Sequence, residues 1–249
     1  MNFKQLGSIV EPLPLSELSK AQLEELQVAL NRLGFPAGEI DGLIGPRTRN
    51  AWSEFKTDIY QGNVDLIGPE SIETLEKKLS ELEGDRGYDF SSKPGTIEAI
   101  NGECRAQGIG LDTQIAYVIA TTQWETAQTF KPVREAYWVR NAEAWRKKNL
   151  RYYPYYGRGF VQLTWQNNYE KYSEILGVKL VENPDLALDP QIALFVLVHG
   201  FKTGIFTGRK ITDYIDSNKT DFVKCRRCIN GTDRAHEIAQ IAEKILRSL

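Results

Sequence analysis

Two glutamates ten residues apart, Glu125 and Glu135, stand out as residues able to do chemistry together. Cleavage of a glycosidic bond needs one carboxyl group to protonate the leaving oxygen and another to activate water or attack carbon. On one unbroken helix the two would lie about 15 Å apart along the axis and on different faces. Pro132 disfavours helix at Lys131, so the chain is expected to turn and bring Glu135 back across a cleft from Glu125. Glu125 follows the apolar segment 115–120 and adjoins Trp124, a setting expected to favour a protonated carboxyl.

Downstream, residues 155–169 read YYGRGFVQLTWQNNY. Gly157 and Gly159 permit a tight turn and close backbone approach. Gln162, Thr164 and Asn168 add hydrogen-bonding groups, while Trp124 and Tyr169 supply aromatic faces. That mixture suits a sugar, whose hydroxyls need polar partners and whose ring face lies well on an aromatic surface. Tyr152, Tyr153, Tyr155 and Tyr156 are read as mostly structural.

The elements that must position these groups are mainly helical. Helical period runs through 97–104, 112–124, 189–206 and 234–249, and the only strand expected lies near 159–164. Earlier in the chain, Leu23, Leu26, Leu30 and Leu33 form a first helix closed by Gly34. Pro46 opens a second, with Ala51, Trp52 and Phe55 on its apolar face. A third, after Gly68, carries Ile72, Leu75 and Leu79. We therefore expect a mainly α protein: a small helical unit over 1–82, a polar linker over 83–95 and a larger helical unit over 96–249 with at most a small β element. Arg146, Lys147, Lys148 and Arg151 read as a solvated helix face. Ile238, Ile241, Ile245 and Leu249 read as a core-facing stripe of the terminal helix rather than a membrane-active one.

Composition narrows the function classes. Charged residues make up 26% of 249 and the net charge is -2, so no basic field points to nucleic acid. The longest apolar run, 192–198, is too short for a bilayer span, and the first residues do not look like a secretory signal. With two histidines and three cysteines, Cys104, Cys225 and Cys228, a zinc site is not expected, and the thiols are read as reduced. No metal or cofactor is implied, and nothing in the pattern demands more than a monomer.

The N-terminal motif is L-Q-x-x-L-x-x-L-G followed by I-D-G-L-I-G-P-x-T-x-x-A, carried by Leu26, Gln27, Leu30, Gly34, Asp41, Gly42, Gly45, Pro46, Thr48 and Ala51. It resembles the three-helix peptidoglycan-binding domain family, which implies attachment to the cell wall, with Asp41 and Gly42 as candidate contacts. Asp41-Gly42 also reads simply as a turn, and Thr48 as a hydroxyl near a helix start that helps satisfy its free N–H groups. In the larger unit, W-E-T, P-V-x-E-A-Y-W, L-R-Y-Y-P-Y-Y-G-R-G-F-V-Q-L-T-W and N-P-D-L-A resemble glycoside hydrolase family 19, nearest its chitinase-like endolysin branch from phages and bacteria. The resemblance implies a lysozyme-like fold and an inverting mechanism, with Glu125 as general acid, Glu135 as base and Thr164 holding the attacking water. It also implies sugar contacts at Gln162 and Asn168. Ile229-Asn230-Gly231 resembles the family's I-N-G, which puts Asn230 on the cleft and leaves Arg234 either to support it or to serve as a structural ion-pair residue. Plant members have histidine where Trp124 stands.

Together the two resemblances imply an endolysin that cuts β-1,4 bonds of peptidoglycan, made in a bacterial cytoplasm and released to the wall through a holin. A chitinase and a non-catalytic wall-binding protein are the alternatives.

Overall fold

The computed structural model describes residues 3–59, 62–83 and 87–249. The chain is mainly helical, as its patterning predicts, and falls into two compact units: Met1–Arg86 with Glu174–Leu176, and Gly87–Ser173 with Gly177–Leu249.

Among its described residues the first unit holds three α-helices, α1 (Lys20–Arg32), α2 (Pro46–Asp58) and α3 (Pro69–Glu83), and an antiparallel pair of two-residue strands, β1 (Leu13–Pro14) and β2 (Leu66–Ile67). Ser19 and Gln22 form a reciprocal capping box that satisfies orphan N–H groups at the start of α1. Leu23, Leu26 and Leu30 then face a common core with Trp52, Phe55, Leu75 and Leu79. Buried Gln27 organises the 37–48 loop. Its amide oxygen accepts from Asp41 N–H (3.1 Å) and Gly42 N–H (2.9 Å), and its Nε2 donates to Asp41 Oδ1 (2.9 Å) and Leu43 O (3.1 Å).

Thr48 does not cap α2. Gly45 occupies that position, and the Thr48 hydroxyl donates to the carbonyls of Ala37 and Leu43 instead.

The expected linker over 83–95 includes 84–86, which lie outside the described residues. Helix α4 (Lys93–Ala106) is already under way by Lys93, capped by Ser92, whose Oγ accepts from Gly95 N–H.

The second unit is built around α5 (Asp112–Glu125), buried continuously from Gln114 to Thr122. Helices α4 and α8 (Pro190–Thr203) pack on it, as does α10 (Ala235–Leu246), which also meets the short α9 (Phe222–Cys225). The terminal stripe expected from the sequence fades toward its end. Ile238 is fully buried, Ile241 and Ile245 are half-buried and Leu249 is exposed.

Two further helices, α6 (Ala142–Asn149) and α7 (Gln166–Leu176), flank the only pair of strands among the described residues of this unit. There β3 (Val133–Arg134) pairs antiparallel with β4 (Arg158–Gly159). The strand expected over 159–164 is thus two residues plus a single bridge between Arg158 and Leu163. Gln162 and Trp165 have φ of +56° and +76°, and that backbone turns rather than extends.

All three cysteines are reduced and buried. Among the described residues no group of histidine, cysteine and acidic side chains is arranged to hold a metal. His199 is buried against Phe195 and Tyr172. Among the described residues, no helix is long and apolar enough to cross a membrane.

Candidate active site

Glu125 is the last residue of α5, where the buried helix reaches the surface of its unit. After it the chain reverses. Thr126 Oγ1 donates to Thr122 O and accepts from Phe130 N–H, while Ala127, Gln128 and Phe130 all take positive φ. Pro132 then leads into β3, so the turn that the sequence requires between the glutamates is present.

The setting expected for Glu125 needs correction. Its carboxylate faces the guanidinium of Arg226 rather than a purely apolar wall. Arg226 Nη1 lies 2.7 Å from Oε1, and the arginine side chain is only 4% exposed against 16% for the glutamate. Nε of the same arginine donates to Asp233 O (3.1 Å), and its carbonyl accepts from Asn230 N–H (3.0 Å). Arg226 therefore ties the end of α5 to the 229–233 loop. Nothing in the local sequence marks it, because its partner lies 101 residues away. Trp124 stays at the surface next to Glu125.

Glu135 sits one residue beyond β3 and is fixed through both backbone and side chain. Its N–H donates to Gly157 O (2.7 Å), and Gly157 N–H returns a bond to Oε2 (2.9 Å). Tyr152 O–H donates to Oε1 at 2.7 Å. Arg146 Nε donates to Glu135 O at 2.6 Å. The basic run is corrected here: Lys147, Lys148 and Arg151 are exposed, but Arg146 is buried beneath α6. Charge-assisted bonds of this kind are roughly twice as strong as neutral ones, which makes Arg146 part of the support for Glu135.

Gln162 and Thr164 are gathered around the same strand pair. A Cβ at Gly157 would lie 2.6 Å from Gln162 Oε1, so glycine is what lets the amide pack there. Gln162 Nε2 donates to Val133 O, Thr164 Oγ1 donates to Gln162 O (2.7 Å), and Asn168 Nδ2 donates to Thr164 O (2.8 Å). All three side chains are half-buried. Trp165, which sequence reasoning passed over, is exposed, and its ring packs on Tyr152 at 4.9 Å.

Four candidates are held in structural roles. Tyr169 is fully buried, its hydroxyl donating to Tyr156 O and accepting from Arg158, so it has no face left for a sugar. Arg234 is an exposed ion-pair residue, 3.0 Å from Glu237 in the first turn of α10. In the first unit, Asp41 and Gly42 shape their loop. The Asp41 carboxylate is taken up by Gln27 and Leu43 N–H, bonds that hold its pKa below the ordinary value. Gly42 is buried with φ +67°, and a side chain there would meet the backbone oxygen of Lys20. Asn230 remains exposed on the loop that Arg226 anchors.

Behind the strand pair, Asp185 accepts from Arg134 (2.8 Å) and Arg158 (2.8 Å). Burial pushes its carboxyl up, but the two arginines outweigh that and hold it below the usual range. Arg146 and Arg158 also lie against the Tyr156 ring, at 4.6 and 3.7 Å. A groove of about 700 Å³ beside this network includes Arg134, Tyr137, Glu143 and Asp185 in its walls. It contains neither Glu125 nor Glu135, so size alone does not identify the reacting cleft.

The family profile of chitinase class I matches residues 134–206, the stretch that holds Glu135, Gln162, Thr164 and Asn168 and leaves out Glu125. The chain is 51% identical over 53 residues to acidic endochitinase Q of Nicotiana tabacum, covering 21% of this chain and 18% of that protein. Chitinase 8 of Oryza sativa subsp. japonica is 50% identical over 42 residues, or 17% of this chain and 16% of that protein. Chitinase 11 of the same species is 54% identical over 41 residues, 16% of each. The chain thus spans less than a fifth of the length of these curated relatives.

Proposed function

We propose that the protein is a glycoside hydrolase that cuts β-1,4 bonds between N-acetylated amino sugars by an inverting acid/base mechanism. The observation that carries this reading is the fixing of Glu135 by Tyr152, Gly157 and Arg146 inside the stretch matched by the chitinase class I profile. In the proposed reaction Glu125 protonates the glycosidic oxygen as positive charge develops on the sugar. Glu135 takes a proton from a water held with Thr164, and that water attacks the opposite face of the ring. Gln162, Asn168, Trp124 and Asn230 are the proposed sugar contacts.

Bacterial peptidoglycan is the proposed substrate, and the first unit the proposed wall anchor, in an endolysin released from a bacterial cytoplasm through a holin. The anchor reading rests on the L-Q-x-x-L and I-D-G-L-I-G-P motifs. The proposed ligand surface is the loop groove of about 700 Å³ that Asp41 and exposed Leu43 help to line. Chitin is a second reading with its own support, since the relatives are named as chitinases.

Release of reducing ends from purified peptidoglycan and from soluble chitin oligomers separates the two readings. Glu125→Gln and Glu135→Gln should each lower turnover by about 10²-fold or more on whichever polymer is cut, with folding intact. Wild-type turnover in either variant would remove that residue from its role.

A further inference from the structure

Tyr152 has no part in the reaction scheme above, yet its side chain reaches the carboxylate of the proposed base. Its hydroxyl donates to Glu135 Oε1 at 2.7 Å, while Gly157 N–H donates to Oε2 at 2.9 Å. Each oxygen thus receives one donor, which fixes the plane of the carboxylate and leaves further lone pairs for a water. The phenol ring is held in turn. Trp165 packs on it at 4.9 Å, and the Arg151 guanidinium covers Trp165 at 5.0 Å. Trp165 directly follows Thr164, so Tyr152 joins Glu135 to the segment that carries the proposed water-holding hydroxyl.

We propose that Tyr152 is a positioning residue for Glu135, holding its carboxylate toward Thr164. The proposal rests on the reading of Glu135 as the base. A donor aimed at a carboxylate favours its charged form, and losing that donor makes protonation easier. Burial, with the hydrogen bond to Glu135, pushes the Tyr152 phenol up to about 12, so the hydroxyl keeps its proton through the neutral and mildly alkaline range.

The test is Tyr152→Phe, which keeps the ring against Trp165 and removes only the hydroxyl. With the soluble oligomer or peptidoglycan fragment that the wild type cuts, kcat/KM is followed against pH. The acidic limb is expected to move to higher pH by about one unit, with KM little changed. A purely structural role would lower the unfolding temperature and leave the limb where it is, and that result would overturn the proposal. A carbon NMR titration of the labelled Glu135 carboxyl in both proteins gives the same readout without turnover, and an unchanged titration there would overturn it equally. The companion Glu135→Gln keeps the two claims apart. An inactive Glu135→Gln beside an unmoved limb rejects Tyr152 alone, whereas an active Glu135→Gln rejects the base assignment on which the proposal stands.

Discussion

Arg226 shows how a single side chain organises the proposed acid. It is buried, its Nη1 meets Glu125 and its Nε meets the carbonyl of Asp233. Removing one partner of a buried pair leaves an uncompensated charge in a poorly solvated place, at about 3–5 kcal/mol. Arg226→Ala should therefore lower stability in denaturant melts by that order and also depress turnover; unchanged stability would show that the pair contributes nothing. At this scale the sequence proposes Glu125, Glu135, Gln162, Thr164 and Asn168 directly, through chemistry and motif. It was not legible for Arg226, Tyr152 or Arg146. Their importance comes from a partner chosen by tertiary packing, and a local pattern carries no trace of that choice. Tyr169 failed for the converse reason: an aromatic beside polar residues suits a sugar platform or a core equally, and burial decided for the core.

The strand pair β3–β4 is short, so its geometry depends on what lies behind it. Asp185, in the 3₁₀ turn Pro184–Leu188, binds Arg134 on one strand and Arg158 on the other. Because the native carboxyl is held below its ordinary value, its contribution is fully present above the unfolded-state value of about 4 and is lost as pH falls through the lowered native value. Asp185→Asn should be less stable than wild type at pH 6, and the gap should narrow toward pH 3. A gap in unfolding temperature that is constant with pH would contradict this. Helices α1, α2, α3, α4, α5, α8 and α10 were readable from apolar period and caps. The stretch 159–164 was overread as a strand because non-glycine residues at positive φ, here Gln162 and Trp165, leave no signature in composition. The basic run 146–151 was misread because one of its four cations, Arg146, turns inward to a backbone carbonyl.

For the whole molecule, the two units carry separable proposals. The first has its own core, with Leu26, Leu30, Trp52, Phe55 and Leu75 packed together, and the second holds both glutamates. A chain beginning at Gly87 should lose most of its sedimentation with insoluble peptidoglycan while still cutting soluble oligomers; full retention on the wall would remove the anchoring role from the first unit. The two-unit organisation was readable as a change of patterning near residue 82, whereas the substrate was not. Chitin and peptidoglycan share the β-1,4 link between N-acetylated amino sugars, and the contacts proposed around Glu135 are to the sugar ring alone. The measurement that tests the central claim most directly is mass spectrometry of fragments released from purified peptidoglycan, with Glu125→Gln in parallel. The account predicts disaccharide-peptides bearing a new reducing end, absent in the variant. Free stem peptides, or the same fragments from Glu125→Gln, would contradict it.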